Sequence, residues 1–313
     1  DIRCFLKPPF KLKKSISKKI GVPIESICVG NGATELIFLW MKVLKPKKTL
    51  IISPTFAEYE RALKEVSSDV YYFELTEGND EFYLDFEKLR EELKKSYNLV
   101  ILCNPNNPTG SFVNRENFKE LLNDVNFSST NFFIDEAFID FIKNGEDLSF
   151  KHFESDRVII IRAFTKFFGI PGLRLGYSIC YNKKWVSTAN NLKEPWTINT
   201  FAASCGEFLL NSNKFIEKTY KTLEKEKNRM LNGLTKIKNI RVFKSESNFL
   251  LIKLMEISGT ELYNKLLEKG FLIRRCENFN FLDDSYVRIA IKDKKSNKNF
   301  IKAINKITKN RNV

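Results

Sequence analysis

The chain has 313 residues, a formal charge of +14, and 43% hydrophobic against 29% charged residues. This length can bury a large core, and the composition is that of a globular enzyme. No apolar run approaches the ~20 residues that cross a bilayer. No basic-then-apolar signal segment opens the chain, so a cytoplasmic protein with no membrane partner is expected.

The basic balance comes from scattered lysines: Lys11, Lys13 and Lys14, a group at 45–48 and another at 292–298. They lack interleaved aromatics on a strand platform. A solvated surface attracting anionic substrates is therefore expected, and not a nucleic-acid interface. The six cysteines form no C-x-x-C pair, which predicts buried reduced thiols and no metal site. The one histidine, His152, stands in a polar segment before a strand and reads as a surface residue. Lysine is then the leading candidate for a general base.

In chain order, the pattern gives an N-terminal segment (1–26), a large domain (27–205) and a small C-terminal domain (206–313). Within the large domain, strands are predicted at Thr49–Ser53, Val70–Leu75, Leu99–Cys103, Asn131–Ile134, Val158–Arg162 and Leu175–Cys180. Helices alternate with them at Thr34–Leu44, Phe56–Val66, Asp85–Lys95 and Arg115–Val125. This alternation predicts an α/β fold with a mostly parallel central sheet flanked by helices. Beyond Pro195 the rhythm becomes α+β. One long helix is expected over Phe201–Lys236, then strands Arg241–Lys244 and Asn248–Leu254. Helix Thr260–Lys269, strand Val287–Lys292 and a last helix from Ser296 follow.

Ligands of such sheets bind beyond the carboxyl ends of the strands, and four of these ends carry unusual residues. Gly30-Asn31-Gly32-Ala33-Thr34-Glu35 leads into a helix whose free N–H groups suit an anion. Asn104-Pro105-Asn106-Asn107-Pro108-Thr109-Gly110 is a loop stiffened by two prolines. Asp135-Glu136-Ala137-Phe138 puts a carboxylate at the end of a very apolar strand. Such a group needs a structural ion pair or a cationic ring nitrogen. Lys166 follows a strand among Phe164, Phe167 and Phe168, eight residues before Arg174. Desolvation by those rings would depress its pKa, as imine formation requires.

These four ordered motifs resemble the fold-type-I pyridoxal-phosphate enzymes, in the histidinol-phosphate aminotransferase branch, from about Glu25 onward. The resemblance implies pyridoxal 5'-phosphate as cofactor, carried by Lys166, with Asp135 paired to its ring nitrogen. It implies Asn107 at the phenolic oxygen, where it also borders the substrate, and Phe56 stacked on the ring. It further implies that Ala33, Thr34, Thr165 and Arg174 hold the phosphate, and that Arg274 and Arg288 hold the substrate's anionic groups. Ala163 stands where this branch often has a phosphate-binding Ser or Thr.

A finer likeness, to the threonine-phosphate decarboxylases of cobalamin synthesis, rests on longer strings. These are Phe56-Ala57-Glu58-Tyr59, the stretches 135–141, 165–167 and 170–177, Glu194-Pro195-Trp196-Thr197-Ile198-Asn199, and a tail of 272–279 followed by 286–291. Phe138 also stands where aminotransferases of the branch usually have tyrosine. The implied reaction is decarboxylation of O-phospho-L-threonine, with amino-acid transamination as the alternative. The resemblance also implies a homodimer. It implies too that several dozen residues precede the point matching Asp1 in relatives, including a tyrosine that reaches the partner's cofactor phosphate.

Overall fold

A computed structural model of the protein describes residues 10–309. The first half runs α1 (Phe10–Ile20), β1 (Ile27–Gly30), α2 (Gly32–Leu44), β2 (Lys48–Ser53), α3 (Glu58–Lys64) and β3 (Asp69–Glu74). A short hairpin of β4 (Thr76–Glu77) and β5 (Phe82–Tyr83) precedes α4 (Phe86–Leu93), β6 (Leu99–Cys103) and α5 (Arg115–Asn123). Then come β7 (Asn131–Asp135), α6 (Gly145–Leu148), β8 (Val158–Ala163), α7 (Phe164–Phe167), β9 (Gly176–Cys180) and α8 (Lys183–Leu192). The chain closes with α9 (Thr200–Leu210), α10 (Asn213–Leu234), β10 (Ile240–Val242), β11 (Phe249–Leu254) and α11 (Gly259–Leu267). After these stand β12 (Arg274–Arg275), β13 (Tyr286–Ala290) and α12 (Lys294–Lys309).

Seven strands form the large sheet in the order β1-β9-β8-β7-β6-β2-β3. Every pair from β8 to β3 is parallel, and β9 alone runs against both its neighbours. The expected α/β fold with a mostly parallel, helix-flanked sheet is the one present. Its central strands are covered on both faces, so β6 (LVILC) and β8 (VIIIRA) are apolar without alternation and buried throughout. At the edge, β3 exposes Asp69, Tyr71 and Glu74. The second sheet is antiparallel, β10-β11-β13-β12, and α10, α11 and α12 pack with it around Met230, Leu234, Leu250, Val287 and Ile304.

Three differences from the sequence reading have local causes. The expected helix over Phe201–Lys236 is two helices, interrupted at Asn211 and Ser212. Helix α1 arises inside the segment read only as N-terminal; its Leu12, Ile16 and Ile20 recur every four residues and are buried. Helix α8 was also not expected. Asn182 starts it by accepting from the Trp185 N–H, and it buries Val186 and Ala189. Five cysteines carry free thiols, four of them buried and Cys205 half-buried, while Cys4 lies outside the described residues. His152 is exposed, but its neighbour Lys151 is buried, donating to the Ile20 carbonyl at 2.5 Å and to Glu146 at 2.6 Å. No described helix is long and apolar enough to cross a membrane.

Candidate active site

Parallel strands β6, β7 and β8 end side by side, with Cys103 opposite Asp135 and Asp135 opposite Ile161. The Asn104–Gly110 loop, the Asp135–Phe138 turn and Lys166 on α7 therefore leave the sheet together. Antiparallel β9 sets Gly176 against both Gly30 and Ala163, which brings the start of α2 to the same edge. Two of the loop's three asparagines hold its shape. The Asn104 side chain donates to the Val113 carbonyl at 2.9 Å and accepts from the Val113 N–H at 2.7 Å. Asn106 donates to the Pro54 carbonyl and to Thr109, both at 2.8 Å, and accepts from Thr55 at 2.9 Å. Asn107 instead turns to the second sheet, where its Oδ1 accepts from Arg288 Nη1.

Neighbouring carboxylates at the end of β7 have divided their roles. Glu136 is fully buried and makes the structural ion pair with Arg162 Nε at 3.0 Å, assisted by the Ser149 hydroxyl and the Phe150 N–H. Asp135 is also buried but meets only neutral donors: the Tyr59 hydroxyl at 2.6 Å on Oδ2 and the Ala137 N–H at 2.8 Å on Oδ1. Among the described residues no ion pair reaches it. Burial pushes its carboxyl above the usual aspartate range, while Tyr59, the Ala137 N–H and Lys166 pull it back down. A buried carboxylate left without a cation fits a cationic ring nitrogen better than a structural role.

The aromatic environment of Lys166 differs from the expectation. Phe164 and Phe168 stack on each other at 5.9 Å, and Phe164 packs on Tyr177. Phe167 joins Phe141 and Tyr220. The reason is the short helix α7, which turns residues 164 and 167 inward and leaves Lys166 open to solvent at the cleft. The ring beneath Nζ is Phe138, with its centroid 5.9 Å away. Enough protein still surrounds the amine for burial to be the main influence lowering its pKa. Asp135 acts in the opposite sense, and Arg288 and Arg174 lower it further.

An anion cradle lies beside the lysine. Gly32 has φ +82° and a Cβ there would stand 2.6 Å from Arg174 Nη2, so only glycine lets the guanidinium lie against the start of α2. Arg174, itself at φ 55°, donates to the Pro171 carbonyl at 3.2 Å. Ala33 and Thr34 are half-buried in the first turn of α2, and Thr165 is buried beside Lys166. Phe56 is half-buried and stands edge-on to Tyr59, centroids 5.8 Å apart. These residues could hold a phosphate, a ring and its nitrogen together.

On the second sheet, Arg274 and Arg288 are cross-strand partners. Arg288 is half-buried over the Phe249 ring at 4.9 Å, whereas Arg274 is exposed, lies over Phe279 at 5.4 Å and donates to Asn278 at 2.7 Å. Phe249 in turn meets Phe138 edge-on at 5.3 Å. Tyr59 and Phe249 were given no role in the sequence reading; the signal for Tyr59 is its place in the Phe56-Ala57-Glu58-Tyr59 string, in the first turn of α3. A cleft of about 510 Å³ lies elsewhere, between the β4–β5 hairpin and residues 110–114 and 244–246, and contains none of this chemistry.

The family model described as "Aminotransferase class I and II" matches residues 9–304. A protein of Caldanaerobacter subterraneus subsp. tengcongensis, provisionally named threonine-phosphate decarboxylase, is 39% identical, over 94% of this chain and 80% of its own. The threonine-phosphate decarboxylase of Salmonella typhimurium is 31% identical over 95% of this chain and 81% of its own. Among solved structures, the histidinol-phosphate aminotransferase of Clostridium acetobutylicum superimposes with a TM-score of 0.89 at 38% identity, covering 96% of this chain and 89% of that one. The chain belongs to the class I and II aminotransferase family and is a pyridoxal-phosphate-dependent enzyme of the fold-type-I plan.

Proposed function

We propose that this enzyme decarboxylates O-phospho-L-threonine to aminopropanol phosphate, with Lys166 carrying the cofactor. The observation that carries the reading is the cross-strand pair Arg274 and Arg288 on the small sheet, of which Arg288 bonds Asn107 and lowers the Lys166 pKa. Like charges directly opposite each other on a sheet are destabilising. The arrangement suits a ligand bearing two anionic groups, as phosphothreonine does with its phosphate and carboxylate. The threonine-phosphate decarboxylases among the relatives support the same reading.

When bound, pyridoxal phosphate supplies an electron sink for the pair left on the substrate's α-carbon. The chain's residues do the rest. Arg174, Thr165 and the Ala33 and Thr34 amides hold the phosphate. Phe56 would cover one ring face and Asn107 would donate to the phenolic oxygen, without help from Phe138, which has no hydroxyl. Asp135 holds the proton on the ring nitrogen. Arg274 and Arg288 would bind the substrate's anionic groups and so set which bond to the α-carbon is exposed to that electron sink. Loss of the substrate's carboxylate as carbon dioxide would leave an electron pair on the α-carbon, to which Lys166 Nζ would deliver a proton. The lowered pKa of the amine favours both its neutral, nucleophilic form and this transfer.

Transamination is the second reading, favoured by the 38% identity to the histidinol-phosphate aminotransferase of Clostridium acetobutylicum. The two separate in one experiment. Incubation with O-phospho-L-threonine and no keto acid should give catalytic carbon dioxide and aminopropanol phosphate, followed by phosphorus NMR. If turnover needs 2-oxoglutarate and histidinol phosphate is consumed far faster, the enzyme is an aminotransferase. A homodimer belongs to the same proposal: Trp196, Phe201 and Phe208 are 74%, 81% and 73% exposed, an apolar surface suited to a second copy.

A further inference from the structure

Asp135 and Tyr59 form a buried pair that the reaction as described leaves unexplained. Tyr59 is fully buried on α3, Asp135 is 5% exposed at the end of β7, and the two oxygens are 2.6 Å apart. An O–H donated to a carboxylate over that distance is a strong, charge-assisted bond. Each carboxylate oxygen thus has one neutral donor, since Oδ1 receives the Ala137 N–H. Both torsional freedom and the choice of which oxygen points where are removed.

The other groups facing this carboxylate cannot replace the tyrosine. Cys103, opposite Asp135 on β6, has its thiol pushed well up by burial, and it donates to the Pro105 carbonyl at 3.3 Å. Lys166 on α7 lowers the Asp135 pKa only through space, and Glu136 raises it. Burial is the largest influence and favours the neutral acid. Tyr59 itself is held far above the usual tyrosine range, first by burial and then by Asp135, so it stays a donor at any working pH. It has no proton to spend on the reaction and is not a catalytic residue.

We propose that Tyr59 is a positioning residue, which keeps Asp135 ionised and in one orientation for the cofactor's ring nitrogen. The inference rests on the reading that Asp135 faces that nitrogen. Its physical content is that deleting one oxygen atom, in Tyr59→Phe, should return Asp135 toward its neutral form without disturbing the ring packing against Phe56. A protonated Asp135 cannot hold a proton on the ring nitrogen, so the defect should appear in the bond-breaking step and not in substrate binding.

Two measurements test this. In the apoprotein labelled with carboxyl-¹³C aspartate, Asp135 is identified by the signal missing in Asp135→Asn. Tyr59→Phe should raise its titration by about one pH unit, a tenfold change in proton affinity. An unmoved titration overturns the proposal. In the loaded enzyme, Tyr59→Phe should lower kcat about tenfold with KM within about twofold. Added to Asp135→Asn, it should cost nothing further, because both act through one group. A further tenfold loss in the double variant means that Tyr59 acts independently, and overturns the proposal. Full activity in Asp135→Asn alone overturns the cofactor role of both residues, separately from the apoprotein titration.

Discussion

Asp135 and Glu136 show how adjacent residues of one type acquire different chemistry. Consecutive strand side chains point to opposite faces, so Glu136 meets Arg162 from β8 while Asp135 meets Tyr59 from α3. One becomes structure and the other stays available. Lys166 is set apart from the chain's many lysines in the same way, by where α7 turns it and not by its neighbours in sequence. Its assignment is open to a direct chemical check. Borohydride reduction of the loaded enzyme, then peptide mapping, should place the pyridoxyl group on Lys166. Lys166→Ala should remain folded yet lose turnover by more than about a thousandfold. A label on any other lysine would show that the cofactor is carried elsewhere.

Among the elements, α1 is the least expected and among the best buried. It carries five lysines in eleven residues, yet Leu12 and Ile16 are wholly buried. The helix comes close to α9 because residue 206 is glycine: a Cβ there would lie 2.9 Å from Leu12 Cδ1 and 2.6 Å from Leu175 Cδ2. This ties the N-terminal helix to the start of β9, and so to the strand that aligns Gly176 with Ala163. Leu12→Ala should therefore destabilise the protein by about 2–5 kcal/mol, the usual cost of a buried leucine in a packed site. Denaturant unfolding checks this. A change below about 1 kcal/mol would mean that α1 is only loosely docked.

At the level of the molecule, the large sheet supplies the strand-end groups and the small sheet supplies the arginines. Their meeting point is the contact of Arg288 with Asn107 and the Phe138–Phe249 pair. The proposed homodimer adds a third requirement. Sedimentation equilibrium should give twice the chain mass, and Phe201→Asp with Phe208→Asp should shift the protein towards monomer. Unchanged dimers in that variant would place the interface on another surface.

The sequence by itself determined the α/β alternation, most element positions and the four motif-bearing strand ends. Fully buried parallel strands, cap residues and glycine turns are local signals, readable from neighbours in the chain. It also offered Lys166, Asp135, Asn107 and Arg174 as candidates, because unusual residues at strand ends stand out against apolar runs. It could not show which carboxylate takes the arginine, that Phe138 and not Phe164 or Phe168 lies under Lys166, or that Tyr59 holds Asp135. Those depend on contacts between residues 26, 28 and 76 positions apart in the chain. Only tertiary structure decides such pairings, since side-chain direction, strand order and burial jointly select each partner.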